Sequence, residues 1–431
     1  MPAPRSRRTI KIGVLVAALG LAMSFFNGSF AQSPTGPSQP SAAPIQLPGL
    51  VAHDHGDGQI HYHGVSEGQR PNKRGNKARG LLFKGLRRAH STECGAEGYT
   101  LTTSHGAKAC THGPDEAPMG VDVREVPTTA ALEASTSQST GGGSGTALPC
   151  YGDGQSGPRV QAVYVHASDV PDRFADLAPM FPEWAARVDA VFAQSAAETG
   201  GKRHVRWVTN ADCTLNVTSV KVSATGDDSL NDTISELKAQ GFSRTDRKYL
   251  VWADAGRYCG IGEVRNDDSA GAGNQNNFGP SFARVDSACW GRDASVEAHE
   301  LMHTLGGIQN SAPHSTGGWH CADENDRMCL ADSSAVALSF PCPSAHENLF
   351  DCGHDDYFST AAAPGSYLAT HWNSANSSFL SADMPESCSI TGQATTSETE
   401  TSRKHKKKRH HRRQASAQDA TSACVPQSVF S

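Results

Sequence analysis

The sequence predicts an α/β domain, and three observations carry that reading. Short apolar or alternating runs interleave with stretches of helical spacing after residue 157; glycines fall where those runs stop; and the order opens strand, helix, strand. Arg159 to His166 alternates like a strand. Phe174 to Thr199 has helical spacing, with Phe174, Leu177, Phe181, Trp184, Val188 and Phe192 on one face. His204 to Thr209 reads as a second strand and Val217 to Val222 as a third. Ile234 to Gly241 is a short helix stopped by its glycine, and Lys248 to Ala253 is a strongly apolar strand. Ser281 to Asp286 is a candidate edge strand just before the next helix. Between them, Gly260 to Gly279 carries Asp267, Asp268, Asn274, Asn276 and Asn277 among glycines. It reads as a long surface loop, with a Ca2+ site as the secondary reading because the spacing departs from an EF-hand.

The chain has 431 residues, 44 acidic against 38 basic, and a formal net charge of -6. Mean hydropathy is -0.46 and the one long apolar run is N-terminal, which excludes a polytopic membrane protein. Arg5, Arg7, Arg8 and Lys11 precede the apolar stretch from Ile12 to Phe26, and Ser29-Phe30-Ala31 offers small residues before Gln32. This is the pattern of a secretory signal peptide over 1–31, so the expected location is extracellular or cell-wall associated. Twelve cysteines suit that oxidising compartment. Cys321 with Cys329 and Cys342 with Cys352 are spaced for small loops, Cys94 and Cys110 for a staple, and Cys213, Cys259 and Cys289 for longer ties. No C-x-x-C occurs.

Residues 32–157 are uneven: a Ser/Pro/Gly/Ala opening, a patch holding His53, His55, His61 and His63, a basic stretch, and a flexible linker over Thr128 to Thr146 that contains Ser-Thr-Gly-Gly-Gly-Ser-Gly. They read as a pro-segment or low-complexity region. The His patch is a second candidate metal tract, and in a pro-segment it would be placed to occupy a metal site before activation. Residues 386–431 read as a disordered Ser/Thr-rich tail ending in the basic run Arg403 to Arg413. That run can attract an anionic wall or surface polymer by charge but has no element for specific nucleic-acid recognition.

The chemistry concentrates at Val296-Glu297-Ala298-His299-Glu300-Leu301-Met302-His303-Thr304-Leu305-Gly306-Gly307. On a helix, His299 and His303 are four residues apart on one face, so both imidazoles can reach one Zn2+ ion, with Glu300 beside them to take a proton from a water. The run H-E-x-x-H-x-x-G resembles the metzincin clan of zinc metallopeptidases. The stretch His299 to Met328 is also similar to secreted actinobacterial proteins predicted to be such peptidases. The resemblance implies a twisted mixed sheet with an active-site helix (α+β) over about 158–385, a third zinc ligand three residues after the glycine, and a methionine turn, which Met328 would supply.

Position 309, the clan's third-ligand place, is Gln309, a poorer zinc donor than imidazole or carboxylate. The third ligand is therefore expected later on the chain: His314 first, His320 second, then Asp323 and His354. The resemblance implies a secreted, monomeric zinc endopeptidase acting on peptide or protein substrate through a zinc-activated water, with Glu300 as general base and Tyr357 or His354 assisting the oxyanion. An extended substrate is expected to pair with Ser281 to Asp286. The alternatives are a catalytically inactive zinc-containing wall-binding protein and a zinc hydrolase of a non-peptide amide. Serine-nucleophile catalysis has little support, since the Gly-x-Ser-x-Gly match at Gly64 to Gly68 falls in the uneven N-terminal region and not between a predicted strand and helix.

Overall fold

In the computed structural model the described residues are Val51–Asp54, Ile60–His63 and 75–383, apart from 90, 96, 103–107, 119, 140–147, 293–294, 331 and 333–335. All belong to the larger of two units, Gln46–Ser431. The signal-peptide and basic-tail expectations fall outside them. Strands β1 (Val51–Asp54) and β2 (Ile60–His63) form an antiparallel hairpin; the side chains of the His53 to His63 tract lie outside the described residues. Among the described residues no helix is long and apolar enough to cross a membrane.

An eight-stranded mixed sheet organises the rest, in the order β3-β4-β5-β10-β11-β9-β6-β8. Three short strands, β3 (Leu86–Arg88), β4 (Tyr99–Thr102) and β5 (Lys108–Thr111), flank the four-residue helix α1 (Ser91–Cys94) and form an antiparallel meander. A helix, α2 (Thr129–Ser139), follows where a flexible linker over 128–146 was expected; it is held by Thr136, which accepts from Trp184 and Arg187. Next come β6 (Arg159–Ala167), α3 (Phe174–Leu177), α4 (Phe181–Glu198), β7 (His204–Val205), β8 (Val217–Val222) and α5 (Leu230–Ala239). The centre is completed by β9 (Arg247–Ala253), β10 (Gly260–Val264), β11 (Ser281–Asp286) and α6 (Ser295–Thr304). Helix α7 (Tyr367–Thr370) and β12 (Leu380–Ser381) close the described chain, β12 pairing with β7 outside the main sheet.

The pleat divides the core. On β6, Val160, Ala162 and Tyr164 point to one face while Val163, Val165 and Ala167 point to the other; on β9, Leu250 and Trp252 oppose Tyr249, Val251 and Ala253. Helices α4 and α6 cover the first face and α5 the second. A parallel sheet buried on both sides needs continuous apolar strands, which is why these were plain in the sequence. Trp184 on α4 is fully buried against Phe181, Trp252 and Trp290, and its Nε1 donates to Thr136 Oγ1 on α2 at 3.1 Å. Trp184→Ala is expected to cost about 3–5 kcal/mol of unfolding free energy, read as a lowered urea midpoint at unchanged slope.

Several expectations are adjusted. The helix read from Phe174 splits because Pro182 starts α4 afresh in its first turn, where its missing N–H costs nothing. The strand read at His204 to Thr209 is two residues long. Helix α5 begins four residues earlier than its spacing indicated, at a Ser229 N-cap whose hydroxyl accepts from Asp232 N at 3.1 Å. Ser281–Asp286 is a strand but not an edge: β10 and β9 flank it. Gly260–Val264, read as the start of a loop, is the fully buried strand β10. The rest of that loop is held by its own polar groups. The Asp267 carboxylate accepts from the backbone of Ser269 and Gln275, and Asn274, Asn276 and Asn277 donate to the carbonyls of Asp267, Ser269 and Ala272.

Five disulfides join described cysteines: Cys94–Cys110, Cys150–Cys213, Cys259–Cys289, Cys321–Cys329 and Cys342–Cys352. The first lies wholly within the N-terminal meander. The second anchors the chain just past the Gly/Ser stretch to the loop before β8.

Candidate metal centre

Helix α6 carries the centre and is pinned at both ends. In its first turn the buried Glu297 carboxylate accepts from Gly291 N at 2.7 Å and from Trp252 Nε1 at 3.2 Å. At its C-terminus Gly306 adopts φ +88°, and Gly307 N donates back to Met302 O at 3.1 Å. A Cβ on Gly306 would sit 2.4 Å from Asn276 Cγ, so the turn that sends the chain away from α6 admits glycine alone.

Three imidazoles meet beside this helix. His299 Nε2 lies 2.9 Å from His303 Nε2 and 3.3 Å from His320 Nε2. Their outer nitrogens fix the orientation of two of them: His299 Nδ1 donates to the Arg327 carbonyl at 2.7 Å, and His320 Nδ1 to Asp332 Oδ1 at 2.8 Å. Among the described residues the buried Nδ1 of His303 has no hydrogen-bond partner. Burial, with His112, His299 and His320 around it, holds the His303 imidazole well below its ordinary pKa, which keeps it a neutral electron-pair donor.

His320, not His314, is the histidine that the fold brings beside His299 and His303. His314 belongs to a different cluster: its Nδ1 lies 3.1 Å from both Asp323 Oδ2 and Asp356 Oδ2, and its backbone N–H donates to Asp356 Oδ1 at 2.9 Å. The loop from Gly307 to Trp319 turns twice before returning to α6, and residue counting along it does not reveal which histidine returns. Gln309 is buried away from the imidazoles. Its amide donates to the carbonyls of Arg265 and Gly306 and accepts from Asp267 N, so it fastens the preceding loop. Met328 is fully buried in the same core as α6, directly after the Arg327 carbonyl that orients His299. The Tyr357 hydroxyl donates to Asp326 Oδ1 at 2.6 Å and accepts from Asp351 N at 2.8 Å, so it is not free to assist an oxyanion; His354 packs near His346.

Two further residues enter from the meander and were not anticipated. After β5, His112 stacks on His303 with ring centroids 3.9 Å apart, and its Nε2 lies 3.1 Å from Glu300 Oε2. Gly262 N–H donates to the same Nε2 at 3.0 Å, which places the ring proton on Nδ1, 3.3 Å from Asp115 Oδ1. Asp115 Oδ2 is 3.0 Å from His299 Nε2, and its Oδ1 is 3.6 Å from His320 Nε2. Burial pushes the Asp115 carboxyl up, but His299 and His112 outweigh it and hold the group well below the usual carboxylate range. The Glu300 carboxyl is pushed well above its ordinary value, first by burial and then by the charge of Asp115. The only sequence signal was indirect: a short alternating run ending at Cys110, followed by a Gly-Pro turn.

Strand β10 shapes the space over Glu300. A Cβ on Gly260 would lie 2.1 Å from Glu300 Oε1, and one on Gly262 2.9 Å from Oε2. The glycines of this strand admit a carboxylate beneath the backbone, so they mark close approach rather than a loop.

The His314 cluster supports a prediction of its own. Burial pushes Asp356 up to about 6, against a lowering by His314. Burial pulls His314 down, but Asp356 and Asp323 outweigh it, with a net rise. Between about pH 4 and 6 the folded state keeps a proton on Asp356 that the unfolded chain has lost, so this group makes stability fall as pH rises through that window. The loss is on the order of 2 kcal/mol. The His314 contribution, present at low pH and lost as pH climbs through its raised pKa, has the same sign. Asp356→Asn is expected to flatten the pH 4–6 limb of the urea midpoint curve, leaving the slopes owed to other buried carboxyls that burial pushes up, among them Glu263, Glu297, Glu300, Asp326 and Asp351.

The molecule is thus a mixed α/β fold whose buried His/Asp/Glu cluster can hold a metal ion such as zinc. No protein-family model matches the chain, and no curated protein is significantly similar to it. Among solved structures it is similar to metalloproteinase-II from Bacteroides fragilis, at 13% identity and a TM-score of 0.23 over 54% of this chain and 62% of that one. It is also similar to catalytically inactive OgpA from Akkermansia muciniphila in complex with an O-glycopeptide, at 12% identity and a TM-score of 0.26 over 49% and 68% of the two chains. The chain spans less than two thirds of the Bacteroides structure. At these scores the likenesses decide nothing about activity, and the reading below rests on the site.

Proposed function

We propose that the protein is a zinc-dependent endopeptidase of metzincin-like architecture, in which His299, His303 and His320 hold the ion and Glu300 is the general base. The observation that carries this reading is the convergence of three Nε2 atoms next to a carboxylate on the same helix. The donor set fits the ion. Two nitrogens at about 2.0–2.1 Å on a tetrahedral zinc stand about 3.3 Å apart, close to the 2.9 and 3.3 Å between these imidazoles. Two of the rings already spend Nδ1 on an acceptor, which leaves Nε2 bare toward the ion. Among the described residues the buried Glu300 Oε1 has no hydrogen-bond partner, as expected of an oxygen reserved for a reacting group.

When bound, zinc supplies Lewis acidity to a scissile carbonyl and lowers the pKa of a water. The chain's own residues do the rest. Glu300 takes the proton from the attacking water and passes it to the leaving amine, a role that needs its carboxylate ionised when the attack begins. The apolar side of α6, with Val296, Leu301 and Leu305 locked in the core, keeps Glu300 and both histidines in fixed register. Strand β10 runs beside the carboxylate, but it pairs with β5 and β11 just as β11 pairs with β10 and β9, so neither strand has the free edge expected for an extended peptide at Ser281–Asp286.

The test is zinc content per chain together with chelator-sensitive hydrolysis of a quenched peptide library. About one zinc per chain and hydrolysis that disappears with chelator and returns with zinc are expected. Zinc without cleavage of any peptide would favour a binding role or a non-peptide amide as substrate.

A further inference from the structure

We propose that the protein has a second metal site, built from none of the residues of the first. In it His314 Nδ1 and carboxylate oxygens of Asp323, Asp356 and Asp355 take a transition-metal dication of the zinc class and tie three loops together. The inference stands on these residues alone and does not depend on the peptidase reading.

Four observations carry it. First, the donors converge. His314 Nδ1 lies 3.1 Å from Asp323 Oδ2, 3.1 Å from Asp356 Oδ2 and 3.8 Å from Asp355 Oδ1. Nitrogen and oxygen ligands at about 2.0–2.2 Å on a tetrahedral zinc stand about 3.3 Å apart, so two of these separations already match and a small turn of the half-exposed Asp355 closes the third. Second, the inward oxygens lack donors. The outer oxygens are spent, Asp323 Oδ1 on Ser339 Oγ at 2.8 Å and Asp356 Oδ1 on His314 N at 2.9 Å. The single proton that Nδ1 can carry does not satisfy both remaining oxygens, on side chains only 8% and 2% exposed. Asp355 Oδ1 is buried and has no hydrogen-bond partner among the described residues. Third, the charge is unbalanced. Three carboxylates face one imidazole, and among the described residues no Lys or Arg side chain pairs with any of them. Fourth, the donors are held in place. The Asp351 carboxylate accepts from the backbone N–H groups of Asp355, Asp356 and Tyr357 at 3.1, 3.2 and 2.8 Å, which fixes the turn carrying two donors. Ala322 N donates to His314 O at 2.9 Å, which sets His314 beside Asp323.

The donor set selects the ion. One imidazole nitrogen among carboxylate oxygens suits Zn2+, Co2+ or Mn2+, whereas Ca2+ takes six to eight oxygens and no nitrogen. The site is the weaker of the two, because it offers one imidazole where the first offers three, and His314 and Asp355 are 41% and 46% exposed to competing water. Dialysed protein therefore keeps the ion of the first centre, and the second fills when metal is added. Its place in the chain gives its role. His314 lies between α6 and His320, Asp323 three residues beyond His320, and Asp355 and Asp356 just past the Cys342–Cys352 disulfide. One ion thus cross-links loops that no disulfide among the described residues joins, and it stabilises the folded chain by mass action.

The experiment titrates the full, metal-stripped chain with Zn2+ against chromophoric chelators of graded affinity, and with Co2+ for visible spectra. The unaltered protein is expected to take two ions in two resolved steps. His320→Ala should lose the tighter step and keep the weaker, whereas His314→Ala and Asp356→Asn should keep the tighter and weaken the other by more than about 100-fold. Ser339→Ala, which removes only the outer partner of Asp323, should weaken that step by about 10–100-fold. Zn2+ beyond the first equivalent should raise the urea midpoint of the unaltered chain and not that of Asp356→Asn. Near-ultraviolet circular dichroism identifies a variant that fails to fold, for which Asp323→Asn substitutes. Saturation of the folded chain at one ion, or a second step that survives both His314→Ala and Asp356→Asn, would overturn the proposal. Displacement of the second Zn2+ by an equal concentration of Ca2+ would do the same, since it marks a site without nitrogen. Two resolved steps with no hydrolysis of any peptide would uphold this site and remove the peptidase reading.

Discussion

His320→Ala is expected to weaken zinc binding by more than about 100-fold, whereas His314→Ala leaves affinity unchanged. The bound is set by outer partners of metal ligands, whose loss alone typically costs about 10–100-fold; removing the ligand itself goes further. His320 brings its Nε2 to 3.3 Å from that of His299 and is braced by Asp332, which also accepts from Thr316 Oγ1. His314 spends its Nδ1 on Asp323 and Asp356. Competition against a chromophoric chelator reads both variants, and Asp332→Asn should fall between them at about 10–100-fold. Equal loss from His314→Ala and His320→Ala, with near-ultraviolet circular dichroism unchanged, would reject the assignment.

Glu300→Gln is expected to retain zinc and to lower kcat/KM by about 10²–10⁴-fold, the usual worth of a general base. The amide keeps the shape that fits under Gly260 and Gly262, so loss of rate cannot be blamed on a displaced strand. Gly260→Ala makes the converse test. Its Cβ would press on Glu300 Oε1, so activity should drop with the carboxylate intact, accompanied by disturbance of β10. A Glu300→Gln variant that cleaves peptide at the unaltered rate would end the general-base role.

The elements that were legible share one physical property: each buries a continuous or strictly periodic apolar surface. Strands β6, β8 and β9 and helix α4 sit against both faces of a closed core, so their side chains had to repeat the pleat or the helical turn. Helix α6 was legible for a second reason. Its two histidines must share a face, which a four-residue spacing provides. Strand β10 was not legible, because the need for space over Glu300 removed the side chains that mark a strand. The meander was hidden by brevity. Strands of three or four residues, stapled by Cys94–Cys110, draw their stability from pairing with β10 and from a disulfide more than from a pattern of their own.

By itself, the sequence determined the α/β class, the helix that carries His299, Glu300 and His303, and the close cysteine pairs, since all of these are set by spacing over a few residues. Only the tertiary structure decided that His320 rather than His314 completes the imidazole set, that Gln309 serves a loop, and that His112 and Asp115 lie across the centre. The reason is distance along the chain: these residues meet through loop paths and a sheet register that no local periodicity encodes.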